Sequence, residues 1–233
     1  MNLFVIADPH LAFGVDKPMD IFYGWNDYVT RFSENWQAVV APEDTVVVAG
    51  DLSWGIDLNE SEPDFAFLDR LNGTKILLKG NHDLWFSTRA KVERFWAEKG
   101  FGSLKLLFNN YYPFGPYGIC GTRGWMNEPG EPQNYKIILR EAGRLERSLE
   151  QAVRDGKEPI VFLHYPPVSK KGDCAEMLEV LERFSVKRVY YGHLHGKSHQ
   201  NAITGSYKGI CYELVSCDFT KFRPVKIAEI NNY

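Results

Sequence analysis

Five short apolar runs rich in β-branched residues recur along the 233-residue chain, and side chains that can bind metal ions follow each run. Runs of this length and composition are typical of buried strands. The runs and the residues after them are Leu3–Ala7 with Asp8 and His10, Thr45–Ala49 with Asp51, Lys75–Lys79 with Asn81, His82 and Asp83, Ile160–Leu163 with His164, and Arg188–Tyr191 with His193 and His195. Because sites in open α/β sheets form outside the carboxyl ends of strands, the pattern predicts one site built from distant parts of the chain.

Segments with helical signals separate these apolar runs. The predicted helices run from Ser87 or Thr88 through Glu98, from Gln133 to Arg154, and from Ala175 to Phe184. They show capping residues or apolar residues at near-helical spacing. Residues 209–230 predict two further strands in an antiparallel arrangement. Alternating strands and helices predict a layered α/β fold, and the lack of repeats and linkers predicts a single domain over residues 1–233.

Residues 19–36 are unusually aromatic, with six aromatic side chains in this short segment. Two interpretations of this composition are possible. The segment could be a helix that packs an aromatic face on the core, as amphipathic helices do. It could instead form a cap beside the functional site. The sequence favours the helix and leaves the cap open.

The charge pattern and the N-terminal residues make some classes of partner unexpected. Charged residues make up 24% of the chain, the formal net charge is -3, and no long basic run is present. A nucleic-acid partner is therefore not expected. The N-terminus does not resemble a signal peptide, and no apolar stretch approaches the roughly 20 residues that span a bilayer. The four cysteines match no Cys-x-x-Cys motif, so we expect buried or free thiols, a cytoplasmic location and no membrane partner.

The residues at the strand ends have the chemistry of a metal site. The candidate ligands are two aspartates, one asparagine and four histidines, namely Asp8, His10, Asp51, Asn81, His164, His193 and His195. Carboxylates and imidazoles suit Mn, Fe or Zn without any thiolate. This set exceeds one tetrahedral site and suits two adjacent ions with one shared ligand. Gly50, Gly80 and Gly192 stand beside the ligands and would let the backbone turn sharply there.

The order of these motifs resembles the signature of the calcineurin-like metallophosphoesterase superfamily. The matching motifs are Asp-x-His, Gly-Asp, Gly-Asn-His-Asp, His and Gly-His-x-His, and they extend from Asp8 to His195. The resemblance implies a four-layer α/β sandwich, in which helices flank two mixed β-sheets. The ligands that it implies are Asp8, His10 and His195 for one metal ion, Asn81, His164 and His193 for the other, and Asp51 as a bridge between them.

The resemblance also implies an enzyme that hydrolyses a phosphate mono- or diester. A hydroxide held between two metal ions would attack phosphorus in line with the leaving oxygen. His82 would protonate the leaving group as the acid-base residue, and Asp83 would orient its ring. Two alternatives remain: a non-catalytic scaffold or binding module of the same fold, and a single-metal hydrolase of another class, such as an amidohydrolase.

Two features bear on the substrate, which we expect to be a small phosphorylated molecule. Many members of the superfamily continue the second motif as Gly-Asp-x-x-Asp, whereas this chain has Trp54 at the last position, so the pocket beside it is expected to differ. Arg123 and Trp125 lie in a Gly-rich turn after a predicted strand. The arginine could bind a substrate phosphate and the tryptophan could stack on a base or sugar. The alternative is an exposed arginine and a packed tryptophan, and the oligomeric state stays open.

Overall fold

Two large β-sheets form the centre of the protein. The computed structural model describes residues 1–126 and 134–230. The strands of the first sheet are β1 (Asn2–Ile6), β2 (Thr45–Ala49), β3 (Thr74–Leu78), β4 (Leu104–Leu106) and β13 (Val225–Glu229). Their order across the sheet is β13-β1-β2-β3-β4. Neighbouring strands from β1 to β4 are parallel, and β13 pairs with β1 in the antiparallel sense at one edge.

The second sheet is also mixed. Its strands are β5 (Tyr112–Phe114), β6 (Tyr117–Thr122), β7 (Glu158–Leu163), β10 (Arg188–Tyr191), β11 (Gly205–Tyr207) and β12 (Ile210–Leu214). Their order is β11-β12-β10-β7-β6-β5. The four central strands are parallel to one another, and the two edge strands are antiparallel to their neighbours. A short hairpin of β8 (Val168–Ser169) and β9 (Gly172–Asp173) follows β7.

Helices cover the outer face of each sheet. The helices are α1 (Tyr28–Val39), α2 (Glu62–Arg70), α3 (Arg89–Lys99), α4 (Tyr135–Arg154) and α5 (Ala175–Arg183), with a short 3₁₀ helix at Gly196–Asn201. Apolar residues of α1, α2 and α3 form one core with the first sheet, and those of α4 and α5 form another with the second sheet. These layers confirm the expected sandwich of two mixed sheets flanked by helices.

Strand β1 shows why the central strands are apolar along their whole length. Leu3 and Val5 belong to the core between the two sheets, and Phe162 of the second sheet belongs to the same core. Phe4 and Ile6 point to the other face, where they join the core under the helices. Because successive side chains alternate between two buried faces, the sequence of such a strand is a continuous apolar run.

Most of the predicted elements are present, and the details correct some of them. Thr88 caps α3, since its side-chain oxygen accepts a hydrogen bond from the Lys91 amide (3.3 Å), and Gly100 ends the helix with φ +76°. The long helix begins at Tyr135, and its predicted start at Gln133 lies outside the described residues. Both tail strands exist, but they lie in different sheets and do not pair with each other. Strand β13 is antiparallel to β1, whereas β12 is parallel to β10 and antiparallel to β11.

Residues 19–36 combine the two interpretations offered for them. Only the part from Tyr28 onwards is helical, and Tyr28, Phe32 and Trp36 are buried on the core. The residues before it form turns, in which Trp25 is buried. Its ring lies 5.9 Å from the ring of His10, one of the predicted ligands, measured between centroids. The segment therefore packs on the core with its helix and reaches the predicted site with its turns.

The four cysteines are unpaired thiols, as expected. Cys120 and Cys174 lie in the core under α4 and α5, and Cys217 lies in the core under the first three helices. Within residues 1–126 and 134–230, no helix combines the length and the apolar character that a bilayer crossing requires.

Candidate metal centre

The loops that follow β1, β2, β3, β7 and β10 meet at one rim of the two sheets. Backbone hydrogen bonds join them: the Asp8 amide donates to the Gly50 carbonyl (3.0 Å), and the Gly192 amide donates to the His164 carbonyl (3.1 Å). The His193 amide donates to Asp8 Oδ2 at 2.9 Å, which ties the two sheets together at this point. The ends of these strands therefore converge at one rim, as the sequence predicts.

Four of the predicted ligands have a left-handed backbone conformation. The φ angles are +59° at Asp8, +46° at His10, +49° at Asp51 and +71° at His193. This conformation costs an L residue roughly 1–2 kcal/mol, least for Asn and Asp, and persists only where the surrounding structure holds it. Such strained residues cluster at functional sites, and here they occur directly after strand ends.

The three motif glycines allow the loops to approach one another. A Cβ atom on Gly80 would lie 2.1 Å from Asp51 Oδ1, and one on Gly192 would lie 2.6 Å from Asp8 Oδ2. Gly50 has φ +90°, and its Cβ would lie 2.6 Å from His164 Nδ1. The expected sharp turn thus applies to Gly50, whereas Gly80 and Gly192 are required for space.

The first group of ligand atoms comes from Asp8, His10 and His195, whose donor atoms all lie within 4.8 Å of one another. Nε2 of His10 and Nε2 of His195 are 3.3 Å apart. Nε2 of His195 lies 3.9 Å from Asp8 Oδ2. Asp8 is fully buried and His10 is 3% exposed, so both are shielded from bulk water.

The second group comes from Asp51, His164 and His193, again with donor atoms within 4.8 Å of one another. Asn81 completes it, since its Oδ1 lies 2.6 Å from His164 Nε2 and 3.0 Å from His193 Nδ1. Oδ2 of Asp51 lies 3.4 Å from His164 Nε2 and 3.8 Å from His10 Nε2. Asp51 is therefore placed between the two groups.

The spacing of the imidazole nitrogens fits ligands of a metal ion. Two nitrogens bound to one ion at about 2.1 Å lie about 3.0–3.4 Å apart when the angle at the ion is between about 90° and tetrahedral. The facing nitrogens of His10 and His195 are 3.3 Å apart, and so are those of His164 and His193. Each group thus offers a pair of nitrogens at a separation that one ion can span.

The protonation of the cluster suits cation binding. Burial lowers the pKa of His10 to about 4 and that of His193 to about 3, so both rings are neutral at pH 7, as a metal ligand must be. Burial opposes the charge of His164 too, but Asp51 and Asp8 outweigh it and raise the pKa of His164 to about 9. That proton must leave before His164 can bind a metal ion. The two aspartates that favour the proton create a field that also attracts a metal cation in its place.

A family model described as calcineurin-like phosphoesterase matches residues 1–197. That stretch includes both ligand groups and His82. The chain belongs to the calcineurin-like phosphoesterase family. It is therefore a metal-dependent phosphoesterase, a hydrolase, as the order of the motifs predicts.

Solved structures that resemble this phosphoesterase show the same fold. The protein of unknown function AQ665 from Aquifex aeolicus is 15% identical, with a TM-score of 0.51, over 97% of this chain and 95% of that chain. The phosphopantetheinyl hydrolase PptH from Mycobacterium tuberculosis is 16% identical, with a TM-score of 0.55, over 100% of this chain and 97% of that chain. No curated protein matches the sequence closely enough to count as a relative. At these identities the likeness concerns the fold alone.

His82, the predicted acid-base residue of the phosphoesterase, is exposed beside the ligands. Its backbone amide donates to Asp51 Oδ1 at 2.7 Å, which fixes its position relative to the proposed bridge. Its ring lies 5.8 Å from the ring of His10 and 4.5 Å from the ring of Trp54. Burial on one side lowers the pKa of His82. The ring is therefore held by its neighbours and still accessible from solvent.

Asp83 does not orient the His82 ring as expected. Its Oδ1 accepts hydrogen bonds from the amides of Leu52 (2.8 Å) and Ser53 (3.2 Å) and from the Trp85 indole (2.9 Å). Its Oδ2 accepts one from the Gly80 amide at 2.7 Å. The carboxylate is fully buried and points inward, so it fastens the loop after β2 to the loop after β3. Among the described residues, none of its hydrogen bonds goes to the imidazole.

Arg123 and Trp125 lie next to the metal centre. The Arg123 guanidinium is 3.4 Å from Glu141 and lies over the Trp125 ring, 5.0 Å from its centroid. The Trp125 ring contacts the Tyr165 ring at 5.2 Å, which in turn lies 4.2 Å from the His193 ring. The arginine is thus part of a charged cluster instead of an exposed side chain, and the tryptophan packs one ring away from a ligand.

The sequence does not predict a role for Asp218, which pairs with the ring nitrogen of His195 that faces away from the ligand group. Its Oδ1 lies 2.9 Å from His195 Nδ1, and its Oδ2 accepts a hydrogen bond from the Gly196 amide at 2.9 Å. A carboxylate on the far nitrogen of a metal-binding histidine fixes the tautomer and makes the ring a better ligand. His199 also pairs with it, at 3.2 Å. Asp218 belongs to no motif, and its only sequence signal is its place shortly after β12.

Proposed function

We propose that this phosphoesterase binds two metal ions and hydrolyses a phosphate mono- or diester. The observation that carries the proposal is the position of Asp51 between two groups of ligand atoms, 3.4 Å from one imidazole nitrogen and 3.8 Å from another. A carboxylate in that place can bind two ions at once. Mn, Fe and Zn all suit this mixture of nitrogen and oxygen ligands.

The proposed division of ligands follows the two groups. The ligands of the first ion are Asp8, His10 and His195, those of the second are Asn81, His164 and His193, and Asp51 bridges them. A bound pair of ions would supply Lewis acidity towards the phosphate and lower the pKa of a shared water. The role of the chain is to hold the ligands rigidly, and the buried carboxylates, the glycines and Asp218 do so.

We assign proton transfer to His82. Its ring is exposed towards the rim, and its amide is tied to Asp51, so it can reach a leaving oxygen of an ester held there. Burial lowers the pKa of His82, and a more acidic imidazolium gives up its proton to a leaving oxygen more readily. A positioned acid of this kind contributes about 10²–10⁴-fold to a rate.

The proposed substrate is a small phosphorylated molecule, with Arg123 binding an anionic group and Trp125 in the wall of the pocket. Arg123→Ala is expected to lower catalytic efficiency and leave the metal content unchanged. The solved structure from Mycobacterium tuberculosis that shares the fold is by its name a phosphopantetheinyl hydrolase, so a phosphopantetheine ester belongs among the substrates tested. We also propose a cytoplasmic location, which the four free thiols support.

The decisive experiment measures hydrolysis of an aryl phosphate monoester and a bis-aryl phosphate diester by chelator-treated protein, with Mn²⁺ added back. Turnover restored by the metal, absent in Asp51→Asn, is the expected result. Asp155→Asn is the matched control, because Asp155 precedes the amino end of β7 and therefore lies at the opposite rim from the site. No turnover with Mn, Fe, Zn, Co or Ni, in protein that still binds metal, would favour a non-catalytic binding module.

A further inference from the structure

A cavity of about 190 Å³ opens where the ends of β3 and β6 face helix α4. Its charged lining residues are Lys79, Arg123, Arg140, Arg144 and Glu141. Those side chains carry four positive charges and one negative charge, although the whole chain has a net charge of -3. One water occupies roughly 30 Å³ in the liquid, so the space admits a phosphoryl group with some of its hydration.

Glu141 pairs with the three arginines of the cavity but cannot accept hydrogen bonds from all of their N–H groups. The residue is fully buried, and its Oε1 lies 2.6 Å from Arg144, 3.4 Å from Arg123 and 4.0 Å from Arg140. Its Oε2 accepts the hydroxyl of Thr122 at 2.6 Å. Three guanidinium groups offer far more donors than one carboxylate oxygen can accept. Nε of Arg123 is in fact buried with no hydrogen-bond partner among the described residues.

Aromatic rings hold two of the cations in place. The Lys79 ammonium lies 5.3 Å from the centroid of Phe86, and the Arg144 guanidinium lies 4.8 Å from that of Phe108. The two rings also contact each other, with centroids 4.9 Å apart. Cations fixed in this way lose little side-chain entropy when an anion binds, which favours binding.

The cavity adjoins the metal centre. Lys79 is separated from Asn81 by one residue, so their Cα atoms lie at most about 7 Å apart. The Arg123 carbonyl accepts hydrogen bonds from the amides of His164 (3.1 Å) and Tyr165 (2.8 Å). The walls of the cavity are therefore continuous with the loops that carry the ligands.

We propose that this cavity is an anion subsite that binds a second, non-scissile phosphoryl group of the substrate. Guanidinium forks match phosphate oxygens, and a local excess of positive charge in an acidic protein selects for such an anion. The natural substrates are then phosphoesters that carry another phosphate, such as a nucleoside bisphosphate. This inference rests on the proposed function for the scissile ester, but binding of the second anion does not require metal ions.

Binding is measured first, by calorimetric titration of inorganic phosphate into the full chain after chelation, when the metal centre holds no ions. We expect affinity to fall about tenfold in Arg144→Gln and in Arg140→Gln, and with rising salt. Arg154→Gln is the matched control, because Arg154 lies about 15 Å from Arg144 along the same helix. This variant should bind phosphate as the wild type does. Loss of Arg144 leaves the buried Glu141 without its nearest cation and could disturb the fold. The Arg140 side chain is more than half exposed, so Arg140→Gln tests the cavity without that disturbance.

Kinetics of the metal-loaded enzyme form the second arm. Arg144→Gln should raise KM for a nucleoside 3′,5′-bisphosphate about tenfold and leave the kinetics of an aryl phosphate unchanged, and Arg144→Lys should restore part of the loss. Phosphate binding that is absent, or equal in all variants, overturns the subsite even when the aryl ester is hydrolysed. Phosphate binding lost in the cavity variants, in a protein that hydrolyses no ester, would uphold the subsite and reject the proposed function.

Discussion

The Trp54 ring packs against the His82 ring, with centroids 4.5 Å apart, and also stacks on the His10 ring at 5.0 Å. Lys17 lies over the tryptophan, 4.5 Å from its centroid. Trp54 stands where the superfamily motif implies an aspartate, so the departure in the second motif falls on the wall of the site. Because the His82 ring has no hydrogen bond to another described residue, this packing is what positions it.

Trp54→Ala should therefore lower kcat by about 10–100-fold through misplacement of His82, since small errors in the position of a catalytic group are costly. Trp54→Phe keeps a ring and should retain most of the activity. Metal content, measured by elemental analysis, should not change in either variant. Equal kcat values for the two variants would show that the ring does not position His82.

Asp218→Asn should weaken one metal site and spare the other. The hydrogen bond from His195 to Asp218 supports only the group that contains Asp8 and His10. Loss of such a partner lowers metal affinity by about 10–100-fold. Competition with a chelator should reveal one weakened equivalent and one normal equivalent. Two equivalents of wild-type affinity, or equal weakening of both, would contradict this arrangement.

Gly80→Ala should disrupt the metal centre, because the added Cβ would lie 2.1 Å from Asp51 Oδ1. Either the loop or the proposed bridge must move, so we expect lost metal and lost activity. Gly143→Ala is the matched control: its Cβ meets nothing within 4 Å, and it lies inside α4. That change should stabilise the protein by about 0.5–1 kcal/mol through helix propensity. Wild-type metal content in Gly80→Ala would refute the steric argument.

The sequence predicts the convergence of the site because that depends on a local pattern repeated at each strand end. Each ligand follows a buried apolar run, and parallel strands bring their carboxyl ends to one rim. Side-chain direction is not encoded in this way. Asp83 follows His82 directly, yet its side chain points into the protein. There the buried carboxylate accepts hydrogen bonds from backbone amides, as a buried polar group must find partners.

Contacts between distant segments are the other part that the sequence does not predict. Asp218 is distinguished only by its place against His195, and the cations of the cavity beside α4 come from two strand ends and a helix. The tail strands show the same limit. Both are recognisable as strands, but β12 joins one sheet and β13 the other, and that choice depends on tertiary packing.

Asp64 should make stability fall as the pH rises. The carboxyl is fully buried at the start of α2, and burial raises the pKa of Asp64 to about 6, although hydrogen bonds with Ser53 and the Phe13 amide oppose this. The folded protein thus binds one more proton than the unfolded chain between about pH 4 and 6. Its stabilising effect is complete below the unfolded pKa and is lost as the pH rises through the folded pKa, by about 3 kcal/mol.

Asp64→Asn removes this titration and keeps a group that can accept from the Phe13 amide and donate to Ser53. The variant should match the wild type near pH 4 and be the more stable protein at pH 8, as measured by denaturant unfolding at several pH values. The quantity to follow across this pH range is the difference between the free energies of unfolding of the variant and the wild type. The other carboxyl groups are the same in both proteins, so their contributions cancel in that difference. Asp155→Asn, an exposed control, should follow the wild-type profile. A constant difference between Asp64→Asn and the wild type from pH 4 to 8 would mean that Asp64 is already ionised in the folded protein at acidic pH.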